Sequence, residues 1–140
     1  MNLDTAVQKL CQEGGVEADI LRLLAAQNGV SWGSEVSIDL VEMYDFLGTS
    51  PQASEKDVES ALEKLASEGL VSLERRKRGS GASGEPVNDV LVNVNDLRGL
   101  RLALAGDEGY RRYSYARYMR IKDALEGRSQ AQRSIDRKEG

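Results

Sequence analysis

The segment Ser54–Arg78, SEKDVESALEKLASEGLVSLERRKR, constrains this 140-residue chain more than any other stretch. Val58, Ala61, Leu62 and Leu65 recur at i, i+3, i+4 and i+7, the apolar stripe of an amphipathic helix. Ser54 with Asp57 three residues on is a helix start in which side chains satisfy the orphan backbone donors of the first turn. Gly69 stands where a chain leaving a helix turns left-handed, which glycine does without a Cβ clash. Leu70–Leu73 then alternates as a half-buried strand does. The strand leaves through Arg75, Arg76, Lys77 and Arg78 into a glycine- and serine-rich tip, Gly79–Gly84. Taken alone, this order also fits an ordinary helix–strand pair of an α+β domain, so the flanking elements matter.

Upstream, Val16–Asn28 reads as an amphipathic helix with Ile20, Leu21, Leu23 and Leu24 inward and Asn28-Gly29 as its stop. Val36-Ser37-Ile38 is expected as a short first strand. Asp39–Leu47 follows as a helix with Leu40, Val41, Tyr44 and Leu47 on one side, ended by Gly48. Thr49–Ala53 is the turn, where Pro51 cannot extend a helix. Downstream of the tip, Val90–Val94 is the returning strand.

The run Val58-x-x-Ala61-Leu62-x-x-Leu65-x-x-x-Gly69-Leu70-Val71, followed by basic residues and a glycine, resembles the recognition-helix-to-wing segment of winged helix-turn-helix transcriptional regulators. It is closest in style to PadR-like and MarR-like proteins and to small archaeal regulators that dimerise through a C-terminal helix. The resemblance covers about Val16–Val94. It implies sequence-specific binding of double-stranded DNA by a homodimer, and it supplies no ligand and no operator. The expected fold is α+β and mostly α: an N-terminal helical extension (1–15), a winged helix-turn-helix domain (16–94), a C-terminal helical dimerisation region (95–126) and a disordered polar tail (127–140).

Composition narrows the chemistry. The chain has no histidine and one cysteine, Cys11, so neither a histidine-activated nucleophile nor a thiolate cluster can be built. No Gly-rich phosphate motif follows a strand and opens a helix; the glycines at 79, 81 and 84 lie between two strands. The chain is therefore expected not to be an enzyme, with no catalytic residue, metal or cofactor. No segment has the apolar length of a membrane span, and the start Met1–Thr5 lacks the features of a signal peptide. A lone cysteine suits a reducing interior, so a cytoplasmic location is expected, with Cys11 packed at the end of the first helix.

The formal net charge of −4 hides an asymmetry. Residues 1–69 hold 4 basic and 13 acidic residues, a balance of −9; residues 70–140 hold 15 and 10, a balance of +5. A phosphate feels the field within about 8–10 Å in physiological salt, so the local clusters matter more than the total. Arg75, Arg76, Lys77 and Arg78 are the expected phosphate contacts, with Gln52, Ser54, Lys56, Ser60 and Lys64 as candidates on or before the helix. That helix also carries Glu55, Asp57, Glu59, Glu63 and Glu68 and lacks Arg, Asn and Gln, so the wing is expected to supply most of the affinity. The same acidity supports a different reading, a winged helix that binds protein rather than DNA.

Asn95 is read as the cap of a helix through Leu97, Leu100 and Leu104, interrupted at Gly106 and Gly109. Asp107–Glu126 resumes with Tyr110, Tyr113, Tyr118, Ile121, Ala124 and Leu125 on a broad stripe, beside Arg111, Arg112, Arg117, Arg120 and Lys122. Tyr110, Tyr113, Tyr118, Ile121 and Leu125 are the expected dimer interface, helped by Leu3, Val7 and Leu10. The other arrangement is a helix folded back on its own domain.

Overall fold

Two glycines and a run of aliphatic residues set the centre of the molecule. The computed structural model describes residues 2–49, 53–79 and 85–139. Gly14 and Gly15 both take positive φ, which breaks the chain between helix α1 (Leu3–Glu13) and helix α2 (Val16–Ala26). Ala18, Ile20, Leu21, Leu23, Leu24 and Ala25 of α2 are all buried, so this helix is apolar nearly all round and runs through the core. Each fully buried leucine or isoleucine there contributes roughly 1.5–3 kcal/mol.

The other helices pack around α2. Strand β1 (Val30–Trp32) leads into helix α3 (Gly33–Leu47); helix α4 (Glu55–Ser67) is followed by strands β2 (Val71–Arg78) and β3 (Val87–Val94). Helices α5 (Leu97–Ala103) and α6 (Glu108–Glu139) complete the described chain. The three strands form one antiparallel sheet in the order β1-β3-β2. The molecule is thus α+β and mostly helical with a small sheet, a layout compatible with a winged helix.

α4 follows its sequence closely. Ser54 Oγ accepts from the Asp57 amide while the Asp57 carboxylate accepts from the Ser54 amide, closing a capping box. Val58, Ala61, Leu62 and Leu65 are buried, and Gly69 takes φ 79° before β2.

Several expectations are corrected. Val36–Ile38 is not a strand: it lies in the first turns of α3, and the first strand is Val30–Trp32. Val36, Leu40, Met43 and Tyr44 form the inner face of α3, while Val41, expected inside, is half exposed. The helix start comes earlier because its cap is tertiary: Asp89 of β3 accepts from the amide and hydroxyl of Ser34. Asn95 is not the cap of α5. Asp96 is, accepting from the Gly99 amide, because the Asn95 amide group donates to the Gly69 carbonyl and its oxygen accepts from Ser72. α1 belongs to the same core: Val7 and Leu10 are buried in their own chain, and Gln8 donates to the Ala103 carbonyl at 2.7 Å. Helix α6 runs to Glu139, where a disordered tail is expected from sequence. The stretch 128–139 lacks glycine and proline and is rich in Arg, Gln, Glu and Lys, good helix formers.

Candidate nucleic-acid interface

The ribbon of β2 and β3 is paired from Val71↔Val94 to Arg78↔Val87. Side chains alternate between its faces, and directly opposed residues share one. Leu73 and Arg75 therefore share a face with Val92 and Val90, which turn toward the core. Glu74, Arg76 and Arg78 share the other face with Leu91, Asp89 and Val87.

The four basic residues separate into two roles. Arg75, Arg76 and Lys77 are exposed. Arg76 Nε lies 2.9 Å from Glu74 Oε1, an ion pair in which both side chains are half exposed and which contributes little. Arg75 and Lys77 have no ion pair among the described residues. Arg78 differs. Its guanidinium donates to Glu35 Oε1 at 3.1 Å and Asp89 Oδ2 at 3.3 Å, and sits 5.0 Å above the Trp32 ring. Burial pushes the Asp89 carboxyl up, but the Ser34, Val90 and Arg78 donors outweigh it and hold it below the ordinary range. Arg78 thus fastens the tip end of the paired ribbon to β1 and α3, and its charge is met by two carboxylates.

On α4, Lys56 and Ser60 are exposed. Ser54 is engaged in the capping box, and Lys64 Nζ lies 3.6 Å from Glu17 Oε1. Gln52 and residues 80–84, between β2 and β3, lie outside the described residues. Beside the Lys56–Ser60 side of α4 is a groove of about 540 Å³ between α4, the start of α3 and the ribbon. Glu55, Glu59 and Glu63 line it from α4, one turn apart, with Val58, Leu62, Leu73 and Val90 beneath and Arg75 across.

The α6 stripe is divided. Tyr113 is buried in its own chain, 6.5 Å from the Phe46 ring, and Tyr110 is half-buried against the core. Of the stripe, Tyr118, Ile121 and Leu125 are left uncovered by their own chain, each more than half exposed. The start of α6 is fixed by an ionic clamp that the sequence reading did not single out. Arg22 Nε and Nη2 donate to Asp107 at 2.7 and 3.0 Å, and Nη1 donates to Asp19 at 2.8 Å. Asp19 also accepts from the Tyr44 hydroxyl, and Asp107 caps α6 by accepting from the Tyr110 amide. Burial pushes the Asp107 carboxyl up, yet Arg22 and that amide hold it below the ordinary carboxylate range. Burial and the Asp19 bond push Tyr44 up. Cys11 packs against the core as expected, and its thiol is also pushed up by burial.

Glu35 and Asp89, which meet Arg78 at the tip end of the ribbon, are likewise residues that sequence reasoning missed. An acid inside the strand-forming run VNDVLV was the available signal, since aspartate is depleted in strands. Among the described residues no trio of acidic or cysteine side chains is placed to hold a metal, and no helix is long and apolar enough to cross a membrane. No protein-family model and no curated protein sequence matches this chain.

Proposed function

We propose that this chain is a homodimeric winged helix-turn-helix protein that binds double-stranded DNA without catalysis and regulates transcription in the cytoplasm. The order helix, strand, helix, helix, strand, strand from α2 to β3 supports the fold reading. The observation that carries the functional reading is the split among the four basic residues. Arg78 anchors the ribbon, and the exposed Arg75, Arg76 and Lys77 are left to contact phosphates. Lys56 and Ser60 are the base-side candidates on α4, and Tyr118, Ile121 and Leu125 are the dimer contact.

The test is fluorescence anisotropy with mixed-sequence duplex DNA across a salt series. Replacing Arg75, Arg76 and Lys77 together by alanine lowers the slope of log K against log salt by about 2.7 if each holds one phosphate. An unchanged slope overturns the reading. A second reading, a winged helix that binds protein, is favoured by the acidic groove along α4. Absence of DNA binding at low salt by the unaltered protein selects it.

A further inference from the structure

Two features of the molecule are unexplained by its own fold. The first is the groove beside α4. Glu55, Glu59 and Glu63 stand at i, i+4 and i+8, and none has an ion-pair partner among the described residues. Like charges at this spacing repel, so the row is unfavourable until a positive group covers it. Beneath it lie apolar side chains, and Val87 at its edge is 46% exposed.

The second feature is the distal half of α6. A helix of 32 residues spans about 48 Å; its first turns rest on α2 and α3 through Tyr110, Tyr113 and the Arg22–Asp107 pair, and Arg120 still reaches Glu42 of α3. Beyond them Tyr118, Ile121 and Leu125, at i, i+3 and i+7, form an uncovered stripe. Arg117, 6.0 Å from the Tyr113 ring centre, and Lys122, 3.9 Å from Glu126, fall on its two flanks. Residues 108–139 hold 9 basic and 5 acidic residues, a balance of +4.

We infer that the acidic groove of one copy receives the distal α6 of a second copy, reciprocally, in a closed two-fold dimer. This rests on the dimer part of the function proposed above and names its contact. The groove offers an apolar floor with a negative rim, and the helix offers an apolar stripe with positive flanks. Pairing α6 with α6 sets two helices of balance +4 against each other, whereas the groove offsets that charge. Reciprocal exchange makes each patch meet its complement twice, as a closed dimer requires. The Lys56–Ser60 side of α4 lies about a quarter turn away and stays open, while Arg75 borders the groove on its ribbon side.

Charge exchange tests this. In sedimentation velocity on the full chain, Glu59→Lys with Glu63→Lys, and separately Arg117→Glu with Lys122→Glu, each weaken the dimer at least tenfold. Mixing the two variants restores it, because each altered groove then meets an oppositely altered helix. Helical circular dichroism checks that each variant is folded, and where a pair is not, the single changes Glu63→Lys and Lys122→Glu are mixed instead. A groove variant that dimerises as tightly as the parent, or a mixture that stays monomeric, overturns the inference. A monomeric parent removes both the contact and the dimer, while the salt slope of DNA binding is read independently.

Discussion

Replacing Asp107 by alanine removes two things at once, and the geometry separates them. The first is the cap on α6, whose loss costs about 1 kcal/mol. The second is the pair with Arg22. Both side chains are mostly buried, at 15% and 17% exposure, which places the pair between exposed pairs at roughly 0–1 kcal/mol and fully buried ones at roughly 3–5. Because Asp19 stays on the guanidinium at 2.8 Å, the lower part of that range applies, about 1.5 kcal/mol. The sum is about 2.5 kcal/mol, which lowers Tm by about 10 °C in a chain of this size. Asp107→Asn keeps a cap-competent side chain and loses only the charge, so it costs about 1.5 kcal/mol. A double-mutant cycle with Arg22→Ala, read by urea unfolding, isolates the same coupling. Because the folded carboxyl is held below its ordinary range, its contribution is complete above the unfolded value and is lost as pH falls through the folded one. Asp107→Asn therefore flattens the acid limb of the stability curve. A coupling below about 0.5 kcal/mol, with an acid limb like the parent's, refutes the claim that this clamp fixes α6.

Arg78→Met leaves Trp32, the only tryptophan, without its stacked cation; its emission shifts and stability falls by about 1 kcal/mol, and an unaltered spectrum contradicts the stacking. Leu104 is fully buried, so Leu104→Ala costs about 3 kcal/mol by urea unfolding; a loss under about 1 kcal/mol means the α5 end is not packed as described. At Gly69 a Cβ would meet no atom within 4 Å, so Gly69→Ala costs only the left-handed backbone, about 1–2 kcal/mol in thermal melts.

The elements legible in the sequence are those whose signals are local. Ser54, Asp57 and Gly69 bracket α4 by themselves, and its stripe repeats over two turns. The start of α3 was not legible because its cap comes from Asp89, 55 residues away, and Val-Ser-Ile taken alone alternates like a strand. Asn95 and Asp96 are equally good caps on paper; the nearby Gly69 carbonyl and Ser72 hydroxyl engage Asn95 and leave the helix to Asp96. The basic cluster was visible as charge, but its division was not, since the partners of Arg78 come from α3 and β3. Tyr113 and Tyr118 look alike in the sequence, and only the packing of α6 on its own domain separates a core residue from an exposed one.

The capping of α3 by Asp89 also bears on how the chain reaches this state. Gly33–Glu35 leave synthesis long before residue 89 does, so the first turn of α3 has no cap while the ribbon is still unmade. Closing a loop of that length costs about 3.5 kcal/mol in chain entropy, which one hydrogen-bonded carboxylate does not offset. The pairing of Val30–Trp32 with Leu91–Asn93 is the contact that closes it. The β2–β3 ribbon and helix α3 therefore consolidate in one step, and a lesion in either delays both.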